Sequence, residues 1–223
     1  MYKSLPTTID DDRKSVIYNP FDEHVGASGV DDSVKELLDM DEDSFVVIYA
    51  GRLVAPKHVN NLVKAVSRMN RKNDTRLLIV GAGNDDYVRE LKKLVRRLHL
   101  ENVVTFVGFV LNSEDYIRTA NVLVSPGEKE GMGRSVVESM LMGVPVVASK
   151  SGAHEEIIFD KENGLLYELH DIDGLSNCLT LLMNDGELYS EIQERAMTMA
   201  RKRYGTIDHG RSVLKIYRSL KLN

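Results

Sequence analysis

From Ser44 onward, short β-rich runs alternate with helical stripes, and this alternation limits the fold more than any other feature of the chain. Residues 45 to 50 form a continuous apolar run that ends at Gly51, and Leu62, Val66 and Met69 then lie on one helical face. Residues 76 to 80 form the next run and stop at Gly81-Ala82-Gly83, after which Tyr87, Leu91, Leu94, Val95 and Leu98 mark a second helix. Residues 103 to 107 read as a strand, 115 to 119 as a short helical stretch, 122 to 124 as a strand, 133 to 142 as a helix and 144 to 148 as a strand. Strands this apolar need cover on both faces, as in a parallel sheet wrapped by helices. The pattern therefore predicts an α/β fold with a doubly wound, Rossmann-like parallel sheet.

The pattern loosens after residue 148. Residues 164 to 167 read as a short strand, and 171 to 183 and 187 to 203 as helices. Thr206 is placed to cap a last helix that runs to about residue 220. Val16-Ile17-Tyr18 reads as a first strand ended by Asn19-Pro20. Residues 1 to 15 read as a lead-in or interdomain linker and 16 to 223 as one domain with its C-terminal helices.

Composition narrows the function classes. Apolar content of 43% and charged content of 28% fit a globular chain, and no apolar run is long enough to cross a bilayer. Residues 1 to 14 carry acidic residues where a secretion signal would have an apolar core, and Cys178 has no cysteine partner, so a cytoplasmic, reducing setting is expected. A net charge of −5 argues against nucleic-acid binding. No Cys/His set has zinc spacing and no acidic loop has calcium spacing, so neither a metal nor a cofactor is expected.

Ligands of open α/β sheets sit at the carboxyl ends of the strands. There the run Glu130-Gly131-Met132-Gly133-Arg134-Ser135-Val136-Val137-Glu138 joins a strand to a helix through glycines. Free N–H groups and the positive end of a helix dipole suit a phosphate, and flanking carboxylates suit hydroxyls. The plainer reading is a solvated helix start with Arg134 paired to Glu138 one turn on. Arg52, directly after the first buried run, and Lys57 would neutralise a diphosphate, or are simply surface cations. Gly81-Ala82-Gly83 lacks the third glycine of a dinucleotide fingerprint, because Asp86 holds that position; it reads as a turn admitting a ligand or another loop. The basic stretch from Arg89 to His99 reads as a solvated face, with contact to anionic lipid as the sharper alternative. His154 follows Ser151-Gly152-Ala153 at a strand edge, within reach of the cleft, with a capping or surface histidine as the plainer reading.

Taken in order, the motifs resemble the C-terminal domain of family 4 glycosyltransferases, retaining enzymes of the two-domain GT-B fold. The matches are Val16-Ile17-Tyr18-Asn19-Pro20-Phe21-Asp22, Tyr49-Ala50-Gly51-Arg52-Leu53 with Lys57, Leu78-Ile79-Val80-Gly81-Ala82-Gly83 and Phe106-Val107-Gly108-Phe109. Residues 120 to 125, the run from Glu130 to Glu138, Met142-Gly143-Val144-Pro145-Val146-Val147-Ala148-Ser149 and Asn163-Gly164 complete the series. The resemblance implies a UDP- or GDP-sugar donor, with Arg52 and Lys57 on its diphosphate, Glu130 on the sugar and Glu138 on the ribose. Gly131, Met132, Gly133 and Arg134 would line the phosphate and sugar, and Phe109, Val110 and Leu111 the nucleobase. No metal is implied, since cations and a helix dipole stabilise the leaving diphosphate. His58, Met132 and Ala153 depart from the residues usual in the family.

The family's N-terminal domain, which takes the glycan or lipid-linked acceptor, has no counterpart in this chain, so the chain is expected to bind nucleotide without transferring sugar. The last helix, with Leu214 and Tyr217, would then be exposed, or buried in a homo-oligomer. Contact with the inner face of a membrane is a further expectation. An epimerase or phosphorylase-like domain and a non-catalytic nucleotide-binding module remain as alternatives.

Overall fold

Six parallel strands carry the fold, in the spatial order β3-β2-β1-β4-β5-β6. They are β1 (Phe45–Ala50), β2 (Thr75–Val80), β3 (Val104–Gly108), β4 (Val122–Ser125), β5 (Val146–Ser149) and β6 (Leu165–Tyr167). The helices are α1 (Val59–Arg68), α2 (Asp85–Arg97), α3 (Glu114–Arg118), α4 (Arg134–Leu141), α5 (His154–Ile157), α6 (Ile172–Asn184), α7 (Gly186–Tyr204) and α8 (Thr206–Ser219). The computed structural model describes residues 15–22, 34, 43–69 and 74–219. The lead-in assigned to residues 1–15 falls outside them apart from Ser15.

Alternate residues of each strand face opposite sides of the sheet, so a doubly covered strand has to be apolar throughout. Val47 and Tyr49 of β1 join Leu77, Ile79, Val122, Val124 and Val147 in one core with α1, α2 and α6. Val46 and Ile48 join Leu78, Val80, Leu123, Val146 and Ala148 in a second core with α4 and α7. Burying β1 on both faces explains its unbroken apolar run. The expected doubly wound sheet is the observed one.

Polar ends fix the helices. Asn84 caps α2 by accepting from Tyr87 N at 3.0 Å, with Asp85 and Asp86 in the first turn and Arg96 and Arg97 in the last. Asp171 and Asp185 cap α6 and α7 in the same way. Three expectations need correction. Residues 16 to 18 are not a strand; the Tyr18 ring packs edge-on against Tyr204, and Arg203 donates to Tyr18 Oη at 2.7 Å. This segment is held by the C-terminal helices and does not extend the sheet. Gly205, and not Thr206, caps α8, because its carbonyl accepts from His209 N at 3.1 Å. The strand placed at 144 to 148 begins at Val146, since Val144 N turns back to Ser139 O and Pro145 has no N–H to pair.

Candidate functional site

The strand order reverses between β1 and β4, and a crevice opens at their carboxyl ends. A cavity of about 450 Å³ occupies this switch point. Its lining includes Tyr49, Gly51, Arg52, Lys57, Ser113, Ser125, Glu130, Met132, Gly133, Arg134, Ser135 and Glu138. Seven of the residues singled out in the sequence thus meet in one place: Arg52, Lys57, Glu130, Met132, Gly133, Arg134 and Glu138.

Close backbone packing sets Arg52 in place. Leu53 N donates to Ala82 O at 2.9 Å, and Asn84 N donates to Leu53 O at 3.0 Å. A Cβ on Gly81 would stand 1.9 Å from Gly51 O, and one on Gly83 would stand 2.0 Å from Leu53 O. The glycine pair therefore admits another loop, the one bearing Arg52. Tyr49 Oη donates to Arg52 O at 2.7 Å from below. Burial, with Glu130 adding to it, pushes the Tyr49 phenol far above its ordinary range, so it stays a neutral donor. The Arg52 side chain is exposed and pairs with no described residue.

Lys57 ends a single 3-10 turn, Ala55–Lys57, and its ammonium pairs with Glu130. Both side chains are largely buried, at 21% and 15% exposure. His58 follows Lys57 in left-handed backbone (φ 48°), so the loop keeps the conformation a glycine would favour there. Lys129, also left-handed (φ 52°), precedes Glu130. The Glu130 loop leans on Ala153, whose N–H donates to Glu130 O at 2.9 Å, and a Cβ on Gly152 would meet that same oxygen at 2.8 Å.

Gly133 is left-handed (φ 62°, ψ 56°) and turns the chain into α4, which starts at Arg134. No side chain caps this end, and Val136 N turns back to Gly133 O, so the amides of Arg134 and Ser135 are left over at the positive end of the dipole, in residues that line the cavity. Glu138, one turn along, is 14% exposed and accepts from Arg134 Nη2 at 3.1 Å. Burial raises its carboxyl above the ordinary range, and Arg134 only partly offsets this.

Beneath the cavity lies a network the sequence reading missed. His154 is not a surface or capping residue; it is fully buried. Its Nδ1 lies 2.9 Å from Ser149 O, an acceptor only, so Nδ1 carries the proton and Nε2 accepts from Ser125 Oγ at 2.9 Å. Burial lowers its basicity and favours this neutral form. Ser149 Oγ donates to Gly127 O at 2.5 Å. The ends of β4 and β5 and the Glu130 loop are thereby tied together. Ser125 and Ser149 at successive strand ends were the available signal.

Phe109, Val110, Leu111 and Gly131 do not line the cavity, and Phe109 and Leu111 are exposed beyond the end of β3. The basic helix is a solvated face: Arg89 and Lys93 pair with Asp86 and Glu90 on the same helix. No helix among the described residues is long and apolar enough to cross a membrane.

Sheet order and the switch-point cavity define the class: a Rossmann-like domain matching one half of a GT-B fold. The sequence profile described as glycosyl transferases group 1 matches residues 31–199, and the chain belongs to that family. It is 28% identical over 180 residues to N-acetyl-alpha-D-glucosaminyl L-malate synthase of Bacillus anthracis, covering 81% of this chain and 47% of that enzyme. The Anabaena Alr3699/HepE crystal structure in complex with UDP superposes with a TM-score of 0.86 at 27% identity, over 92% of this chain and 57% of the other. The isolated C-terminal domain of a group 1 glycosyl transferase from Francisella tularensis (LpcC) shares the fold, with a TM-score of 0.74 at 23% identity over 83% of this chain and 99% of that one. The chain spans about half the length of the curated relatives it matches.

Proposed function

We propose that this chain is the donor-binding half of a retaining glycosyltransferase that moves a hexose from a UDP- or GDP-sugar to a glycan or lipid-linked acceptor. The observation that carries the reading is the convergence of an uncapped helix start, an exposed guanidinium and two carboxylates around one cavity. The diphosphate would lie over the amides of Gly133 and Arg134, with Arg52 forking onto it and Lys57 adding a point charge. Lys57 exchanges Glu130 for phosphate, which frees the Glu130 carboxylate for the sugar hydroxyls. Glu138 takes the ribose hydroxyls, and the base runs toward the exposed segment 109–111. Charge developing on the leaving diphosphate is met by fixed cations and dipoles, which are in place before the reaction.

The Anabaena structures with UDP and with UDP-glucose support this donor class. Transfer itself would require an acceptor domain. The exposed Ile207, Leu214 and Tyr217 of α8 offer a face that such a domain, or a second copy, would cover. Isothermal titration of UDP and GDP, with and without EDTA, tests the reading. One-site binding that survives chelation is expected. A folded chain that gives no binding to either nucleotide would refute it.

A further inference from the structure

Three metal-ligating side chains from separate segments converge outside the cavity: His58 before α1, Glu128 in the loop after β4, and His170 before α6. One donor atom from each lies within 4.8 Å of the other two. The two imidazole rings meet edge to face, with centroids 4.6 Å apart. His58 Nε2 is 3.7 Å from Glu128 Oε2, too long for a hydrogen bond. That nitrogen is buried and has no hydrogen-bond partner among the described residues. A buried polar atom without a partner, facing a carboxylate across a gap, asks for something between them. Zinc bonds to imidazole and carboxylate are ~2.0–2.2 Å long, so tetrahedral ligands stand about 3.3–3.5 Å apart. The His58–Glu128 gap is close to that spacing, and the remaining donor pairs, all within 4.8 Å, would have to draw in by side-chain rotation.

We propose that His58, Glu128 and His170 form a site for a zinc-class divalent ion, with a fourth position open to water. Two imidazoles and one carboxylate suit Zn²⁺ and its neighbours Co²⁺ and Ni²⁺, whereas Mg²⁺ and Ca²⁺ prefer oxygen ligands. His58 adjoins Lys57 and Glu128 lies two residues before Glu130, so the ion would clip together the two loops that carry the Lys57–Glu130 pair. The three residues are far apart in sequence, so no spacing motif announces them. The inference does not depend on the nucleotide reading.

The test uses the tag-free full chain, stripped of metal, with Zn²⁺ titrated in competition with a chromophoric chelator and Co²⁺ followed by its visible absorption. The variants are His58→Gly, which suits the left-handed backbone, Glu128→Gln and His170→Asn. One Zn²⁺ per chain is expected, with intense tetrahedral Co²⁺ bands. Each variant should bind at least about tenfold more weakly and lose those bands, while its metal-free melting curve stays that of a folded protein. No stoichiometric zinc binding by the parent chain would overturn the proposal. So would unchanged affinity in the folded variants, which would assign the ion to other side chains.

Discussion

Replacing Arg52 by alanine isolates one contact in the proposed donor site. The guanidinium is exposed and pairs with no described residue, so no contact among the described residues has to be released before it meets a ligand. The backbone beneath it is held by Tyr49 and by the glycine turn at 81–83, neither of which the substitution touches. Stability should therefore stay within about 0.5 kcal/mol of the parent, as for other surface changes. A hydrogen bond to a charged group contributes about 1.5–3 kcal/mol, or roughly ten- to a hundredfold in Kd. Arg52→Lys keeps the charge and loses the planar fork, so its loss should fall at the low end of that range. The difference between parent and alanine variant should shrink as salt is raised, because the pair lies near the surface. Calorimetric titration with UDP at two ionic strengths, alongside thermal melting, measures all of this. An alanine variant that binds UDP within twofold of the parent while melting normally would refute the assignment of Arg52 to the diphosphate.

Other expectations follow from the same geometry. Glu130→Gln removes the partner of Lys57, so nucleoside diphosphate should bind as tightly or more tightly, seen by titration, while any preference for the sugar-bearing donor over UDP is lost. Gly83→Ala puts a methyl group 2.0 Å from Leu53 O, so the Arg52 loop must shift; a lower Tm and weakened UDP binding are expected together. Burial raises the Glu138 carboxyl above its unfolded value near 4.3, so the folded state binds the extra proton and ionised Glu138 opposes folding at neutral pH. Glu138→Gln should thus raise Tm at pH 7, and the gain should fade as pH drops through the folded pKa toward the unfolded one; a gain that persists at pH 3 would contradict this.

The sheet was legible because burial on both faces leaves an unmistakable mark: residues 45 to 50 have to be apolar throughout. The cavity was legible to the extent that its residues lie in the loops just past strand ends, as Arg52 lies past β1 and Glu130 past β4. His154 was not, because a histidine in a loop-like stretch of sequence gives no sign of burial; its role depends on Ser125 and Ser149, brought together only by parallel pairing of β4 and β5. The first segment misled for a related reason. Val16-Ile17-Tyr18 has strand composition, yet its partners are the side chains of Arg203 and Tyr204, which no local pattern reveals. Glycines at 81 and 83 pointed to a close approach without saying of what, and the answer was the chain's own backbone.

The account depends most on where a diphosphate settles, and a crystal of this chain grown with UDP measures that directly. Phosphate density is predicted over the amides of Gly133 and Arg134, within reach of Arg52, with Lys57 turned from Glu130 toward the phosphates. Density for UDP at another surface, or at this cavity with the phosphates pointing away from α4, would contradict it.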